Sequence, residues 1–97
     1  MRLTREMLQD KRDAILEVAR RNGALDVRVF GSVARGDATD ASDLDLIVRF
    51  EPGRSLMDWG VLIDELQELL GVHVDVVDEE AMRERFRRHA LQEAVPL

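Results

Sequence analysis

The chain has 97 residues, of which 45% are hydrophobic and 35% charged, and its net charge is −6. This length predicts a single domain over residues 1–97, and the acidic balance argues against a general nucleic-acid-binding surface, which would be basic. The absence of cysteine excludes disulfides, thiolate metal sites and cysteine nucleophiles. No apolar run approaches the roughly 18 residues of a membrane span, and the N-terminus lacks the apolar segment of a signal peptide, so we expect a cytoplasmic protein.

The N-terminal segment predicts one amphipathic helix over residues 4–22, because its apolar side chains recur at helical spacing. Thr4 is a suitable N-cap. Asn22 followed by Gly23 predicts the end of the helix, since glycine readily takes the left-handed conformation that closes a helix. We expect this helix to serve in packing.

A first strand is predicted over residues 26–30, where apolar and polar side chains alternate. Val27 and Val29 share one face of this strand, and Arg28 and Phe30 share the other. We expect Phe30 to belong to the core.

The strand runs into residues 31–45, which read GSVARGDATDASDLD. Small residues directly after a strand let backbone N–H groups approach an anion, and residues 32–36 predict a short helix whose N-terminus adds a positive dipole end. Residues 37–41 form a polar loop with the composition of an active-site rim. The first half of this stretch therefore predicts a place for phosphates.

A second strand, predicted over residues 43–50, carries two carboxylates two positions apart. Asp43 and Asp45 project from the same face because side chains alternate along a strand, and paired hard oxygen ligands suit Mg²⁺. The alternative is a solvated pair of acids at the entrance of a strand. The side chains expected to face the core are Leu44, Leu46, Val48 and Phe50.

The rest of the chain predicts a helix, a strand and a helix. The first helix begins at Ser55, which with an acid three residues later resembles a capping box, and it stops at Gly71. Its Trp59 is expected in the core or in a partner contact rather than stacked on a base. Residues 72–77 predict the third strand, and Asp78 is the expected N-cap of the last helix.

The two-part pattern G-S-x-A-R-G followed by S-D-x-D-L resembles the signature of the DNA polymerase beta-like nucleotidyltransferases. In so short a chain it is most similar to the minimal nucleotidyltransferases, antitoxins encoded beside HEPN-domain toxins. The matching residues are Gly31, Ser32, Ala34, Arg35, Gly36, Asp37, Ser42, Asp43, Asp45 and Leu46. The resemblance implies an α/β (α+β) fold of order α-β-α-β-α-β-α, with a small three-stranded mixed sheet flanked by helices.

The resemblance also implies a reaction and a metal site. Nucleotidyl transfer from ATP would use two Mg²⁺ ions, with Asp43 and Asp45 as bridging ligands. Asp75, in a hydrophobic-Asp-hydrophobic pattern on the third strand, would complete the ligand set and orient or deprotonate the attacking hydroxyl. The alternative for Asp75 is an exposed strand acid. His73 shares its face, but we expect it to be exposed or to support a ligand rather than to be one.

The implied nucleotide site consists of Gly31, Ser32 and Arg35. Gly31 and Ser32 would hold the β- and γ-phosphates through backbone N–H groups and the Ser hydroxyl. Arg35 has two open readings, one in which it pairs with the triphosphate and one in which it braces the loop against Asp37 or an acid of the sheet.

The implied biological role is that of an antitoxin that transfers AMP to a Tyr hydroxyl of a cognate HEPN ribonuclease toxin. One alternative is an antitoxin that neutralises its toxin by binding alone, and another is transfer to a small molecule or RNA. The chain contains no Tyr, so it cannot modify a Tyr of its own. We expect no membrane partner and no direct binding to nucleic acid.

Overall fold

A computed structural model describes residues 3–39 and 43–97. The end of the predicted polar loop and the Ser42 of the motif lie outside the described residues. The elements, in chain order, are α1 (Arg5–Asp10), α2 (Arg12–Arg21), β1 (Ala24–Phe30), α3 (Gly31–Arg35), β2 (Leu44–Phe50), α4 (Leu56–Leu70), β3 (Val74–Asp78), a 3₁₀ turn (Glu79–Ala81), α5 (Glu84–Glu93) and β4 (Val95–Pro96).

The strands form a mixed sheet in the order β3-β2-β1-β4. β1 pairs antiparallel with β2 and with β4, and β2 pairs parallel with β3. The predicted mixed sheet flanked by helices is confirmed, but the predicted count of three strands is wrong. β4 has two residues and ends in proline, so it has no alternation to detect, and its pairing of Val95 with Val29 depends on tertiary contact.

The main core lies between one face of the sheet and helices α1, α2 and α4. Leu44, Leu46 and Val48 of β2 are fully buried there, which confirms the predicted alternation of this strand. Phe50 is partly buried and packs against the cluster. The apolar residues of α4 that complete the cluster are Leu62, Leu66 and Leu70.

The opposite face of the sheet is partly covered by α5. Ile47, which alternation places on this face, is also fully buried, and so is Ala90 of α5; neither belongs to the main core cluster. The carboxylate of Glu79, a residue only 8% exposed, lies 3.7 Å from Arg28 of β1 and 3.5 Å from Arg87 of α5. Charge pairing therefore helps to hold α5 against this face.

The predicted helix over residues 4–22 is wrong in one respect, because it is divided at Lys11. Thr4 does cap its start, accepting from the Met7 amide at 3.2 Å. The Lys11 amide donates to the Leu8 carbonyl at 3.1 Å, three residues back, across a tighter turn than an α-helical one, and Leu8 is buried in the core. The predicted end at Asn22 is confirmed.

The prediction that Phe30 belongs to the core is also wrong. Phe30 is only partly buried and is not part of the main core. The physical reason lies in its register partner, Asp45, which places Phe30 beside the acids rather than under a helix. The third strand also begins two residues later than predicted. It begins at Val74 because that residue pairs with Leu44, the first residue of β2.

The predicted last helix is preceded by the separate 3₁₀ turn. Asp78 caps that turn by accepting from the Glu80 amide at 3.0 Å, so its capping role is confirmed on a different element. Phe86, which falls at helical spacing on α5, is 54% exposed. The buried residue of this helix is Ala90.

The predicted start and end of α4 are confirmed. Ser55 and Asp58 form the capping box, with the Ser55 amide donating to Asp58 at 2.8 Å. Trp59 is not in the core, since it is partly exposed and its indole N–H donates to the Val76 carbonyl at 2.9 Å. It lines an apolar groove of about 500 Å³ near the C-terminal ends of β2 and β3.

Among the described residues, no helix has the length and apolar character to cross a membrane.

Candidate active site

The parallel pairing of β2 with β3 brings the predicted acids together. Asp45 lies directly opposite Asp75 in this register. Just before it, the Leu44 amide donates to the His73 carbonyl at 2.9 Å, so Asp43 and His73 stand at the entrance of the same strand pair. One potential ligand atom from each of Asp43, His73 and Asp75 lies within 4.8 Å of the other two.

Asp45 is the most buried of the three acids. Burial is the main cause that raises its pKa, and the charges of Asp75 and Asp43 raise it further, whereas Arg35 and His73 act in the opposite direction. Neighbouring carboxylates repel one another in this way when no cation separates them. The site therefore concentrates negative charge where a bound cation would stabilise the ionised acids.

The turn after β1 lies against Asp45. Phe30, the last residue of β1, pairs with Asp45, and a Cβ added at Gly31 would lie 2.6 Å from the Asp45 Oδ2 atom. Gly31 also has a φ of +76°, which side chains other than that of glycine rarely allow. The close approach and the backbone conformation both require glycine here, and together they place the predicted phosphate turn beside the predicted metal ligands.

Ser32 follows in the first turn of α3 and is partly exposed. Its carbonyl accepts from the Asp37 amide at 3.0 Å, which closes the turn on itself. Gly31, Ser32 and Asp45 are therefore neighbours, although they come from both halves of the sequence motif.

Arg35 takes the bracing position of its two predicted readings. Its Nε atom donates to Asp37 at 3.3 Å, and its Nη1 atom donates to Glu93 of α5 at 3.1 Å. These hydrogen bonds, the one to Glu93 first, raise the pKa of the guanidinium. Sequence reasoning missed Glu93, since no local pattern connects it to a residue 58 positions away.

His73 is exposed and lies next to Asp43, in line with the expectation that it is exposed or supports a ligand. Its Nδ1 atom is 3.3 Å from Asp43 Oδ2, and its side chain remains largely exposed. The alternation of residues 72–77 predicts this position, because it puts His73 and Asp75 on one face of the strand.

The donor set fits a hard divalent cation. Carboxylate oxygens from two adjacent strands are the ligands that Mg²⁺ accepts, with water and phosphate oxygens completing its octahedral shell. Asp43 and Asp75 are exposed, so substrate oxygens can reach them. That Asp43, Asp45 and Asp75 hold metal, and that Gly31, Ser32 and Arg35 hold nucleotide, stays a prediction.

Residues 11–97 match the family model described as a nucleotidyltransferase domain. The chain belongs to the nucleotidyltransferase domain family. The protein adenylyltransferase MntA of Thermococcus cleftensis is 37% identical over 79 residues, which cover 81% of this chain and 80% of that protein. A candidate protein adenylyltransferase of Methanocaldococcus jannaschii is 36% identical over 81 residues, covering 84% of this chain and 87% of that protein.

Solved structures agree with the family. A candidate minimal nucleotidyltransferase superposes with a TM-score of 0.89 at 50% identity, over 98% of this chain and 97% of that one. A chain of a toxin–antitoxin crystal structure with AMP-PNP superposes with a TM-score of 0.75, over 87% of this chain and 69% of that one. At 21% identity, this second likeness shows the fold alone. The predicted superfamily, its minimal type and the enzyme class are thus confirmed.

Proposed function

We propose that this nucleotidyltransferase domain is an antitoxin that transfers AMP from ATP to a Tyr hydroxyl of a HEPN-domain toxin, in a Mg²⁺-dependent reaction. The observation that carries the proposal is the register of β2 and β3, which sets Asp45 opposite Asp75 with the Gly31 turn against Asp45. The similar proteins named as protein adenylyltransferases support a protein acceptor.

The reaction forms a bond between the acceptor oxygen and the α-phosphorus of ATP. The bond from that phosphorus to the bridging oxygen of the leaving pyrophosphate breaks. Asp75, which is exposed beside Asp43 and His73, would orient the acceptor hydroxyl or receive its proton. Mg²⁺, held by Asp43, Asp45 and Asp75, would neutralise the charge that develops on the phosphate oxygens.

The nucleotide is positioned by the turn at Gly31 and Ser32, which lies next to Asp45. Backbone N–H groups and the Ser32 hydroxyl donate to the β- and γ-phosphates. Arg35 exchanges its hydrogen bonds with Asp37 and Glu93 for the triphosphate, because a phosphate offers it a bidentate partner of higher charge.

A protein acceptor agrees with the surface of the site. Asp43 and Asp75 are exposed, so a side chain carried by a large partner can reach them. An RNA acceptor is disfavoured by the net charge of −6, because polyanions bind to basic surfaces.

A second function, neutralisation by binding alone, is favoured by one observation. The first turn of α4 presents Leu56 and Met57, which are 84% and 77% exposed, next to the groove lined by Trp59. Exposed apolar side chains in such a group are typical of protein-binding surfaces.

The deciding experiment is intact-mass spectrometry of a HEPN-domain toxin that is co-expressed with this chain and then incubated with ATP and Mg²⁺. We expect mass increments of AMP on that protein, on a Tyr, and none with Asp43→Asn/Asp45→Asn. The matched control, Asp13→Asn/Asp64→Asn, removes the same two charges from exposed positions on α2 and α4 and should keep the activity.

The other outcomes assign the other functions. A tight complex without any increment, together with neutralisation in cells by the double variant, would establish a binding antitoxin. Absence of both a mass increment and a complex would reject both antitoxin functions and favour a small-molecule or RNA acceptor.

A further inference from the structure

His73 occupies a fixed position beside the predicted metal ligands. Its carbonyl accepts the Leu44 amide at 2.9 Å, so the start of the parallel strand pair holds its backbone. Alternation directs His73 and Asp75 to the same face. The same pairing of β2 with β3 that brings the acids together therefore also positions the backbone of His73.

The distances place its imidazole within reach of a shared cation. Nδ1 lies 3.3 Å from Asp43 Oδ2, and the ligand atoms of Asp43, His73 and Asp75 all lie within 4.8 Å of one another. Two ligands bound at about 2.1 Å to one ion are at most about 4.2 Å apart, so a small side-chain rotation is sufficient. His73 is largely exposed, and that rotation is open to it.

The chemistry of a nitrogen donor changes which ion such a site prefers. Mg²⁺ takes oxygen ligands almost exclusively, whereas Mn²⁺ accepts carboxylate, water and imidazole in the same octahedral shell. Two carboxylates with one imidazole thus suit Mn²⁺ better than they suit Mg²⁺. This preference for Mn²⁺ depends on the histidine at position 73. It is separate from the ability of the carboxylates to bind a divalent cation.

We propose that His73 is a direct metal ligand and that its imidazole shifts the cation preference of the site from Mg²⁺ toward Mn²⁺. The proposal rests on the proposed function, since it takes Asp43 and Asp75 as ligands of the same ion. A different role is open to the same geometry, in which His73 only hydrogen bonds Asp43 and orients it.

The test is a calorimetric titration of the whole chain with MnCl₂ and with MgCl₂, each with and without a non-hydrolysable ATP analogue. For His73→Gln we expect Mn²⁺ affinity to fall about tenfold or more while Mg²⁺ affinity changes much less, because only a lost nitrogen ligand discriminates between the ions. His89→Gln is the matched control, since His89 is the other histidine, is exposed on α5 and pairs with Glu93. We expect it to leave both affinities unchanged.

Pulsed electron paramagnetic resonance of the Mn²⁺-loaded protein gives a readout that needs no catalysis. Nitrogen coupling to the ion is expected in the natural chain and in His89→Gln, and is lost in His73→Gln. Equal losses of Mn²⁺ and Mg²⁺ affinity, or absence of nitrogen coupling, would overturn the proposal and make His73 a residue that orients Asp43 or an exposed bystander.

The two proposals fail in distinguishable ways. If the natural chain and Asp75→Asn both bind neither cation, with nucleotide or without, the metal site of the proposed function is rejected together with the role of His73. If Asp75→Asn abolishes binding of both cations while His73→Gln changes neither, the metal site stands and only the role of His73 is rejected.

Discussion

The two faces of β2 differ although alternate residues of one seven-residue strand build them. One face buries Leu44, Leu46 and Val48 in the main core, and the other presents Asp45 beside Asp75 before it is covered again at Ile47. The apolar face stabilises the fold, whereas the acids oppose it through burial and mutual repulsion, as the raised pKa of Asp45 indicates. A single strand thus supplies stability on one side and, at a cost in stability, the candidate site on the other.

The largest effect is expected on the apolar face. Leu46→Ala should lower the free energy of unfolding by about 2–5 kcal/mol, through lost burial and a residual cavity. A small domain has only about 5–15 kcal/mol in total, so this variant should be partly unfolded at 37 °C. Urea denaturation measures the loss. Leu25→Ala, at an exposed position of β1, is the control, and an equal loss there would contradict the contrast between the two faces.

The next effect concerns the contact between the turn and the acid face. Gly31→Ala introduces a Cβ that meets the Asp45 carboxylate, so we expect nucleotidyl transfer to fall by about 100-fold or more. Gly53→Ala carries the same kind of backbone strain at a φ of +89°, with nothing within 4 Å of the new Cβ. Both variants should lose about 1–3 kcal/mol of stability. If both also lose the same activity, strain rather than the Asp45 contact is responsible.

A smaller effect is expected at Arg35. If Arg35 moves from Glu93 to the triphosphate, Arg35→Gln should raise the KM for ATP about tenfold or more with little change in kcat, since a charge-assisted contact to phosphate is lost. Glu93→Gln should lower that KM, because it releases Arg35. Steady-state kinetics distinguishes this exchange from pure bracing, in which both variants would leave KM unchanged and alter only thermal stability.

The smallest effect is a stability gain from removing a charge of the acid face. The pKa of Asp45 is raised in the folded state, so the folded chain holds this proton more tightly than the unfolded chain does. Its cost to stability is therefore absent below the ordinary pKa of an Asp and grows as pH rises from there through the raised pKa. Asp45→Asn should raise Tm by a few degrees at pH 7 without metal, and by nothing at pH 3.

Bound metal should reverse the difference in Tm between the natural chain and Asp45→Asn. A cation that binds only the folded state stabilises it, so added Mg²⁺ or Mn²⁺ should raise the Tm of the natural chain and not that of Asp45→Asn. A lower Tm for Asp45→Asn in metal-free solution would show that Asp45 stabilises the fold by contacts other than its charge.

Much of the fold followed from local patterns. Alternation placed Leu44, Leu46 and Val48 on the buried face, and the capping box at Ser55 gave the start of α4, because both features depend on residues a few positions apart. The same period-2 rule grouped Asp43 with Asp45, and His73 with Asp75.

Features that join distant segments did not follow. The Arg35–Glu93 pair, the burial of Glu79 between Arg28 and Arg87, and the pairing of β4 each connect parts of the chain with no common local period. Local patterns also did not predict the partial exposure of Phe30, since it depends on Asp45 across the β1–β2 pair.

The sequence by itself determined the family, the order of the main strands and helices from β1 to α5, and the identity of the candidate acids, because motif spacing and side-chain alternation are properties of the chain alone. Only the tertiary structure decided that Asp45 lies opposite Asp75, that Gly31 lies against Asp45, and that His73 joins Asp43. Strand register is the physical reason. A shift of one residue in the β2–β3 pair would separate Asp45 from Asp75, and a shift in the β1–β2 pair would move Gly31 away from Asp45, while every local pattern stayed intact.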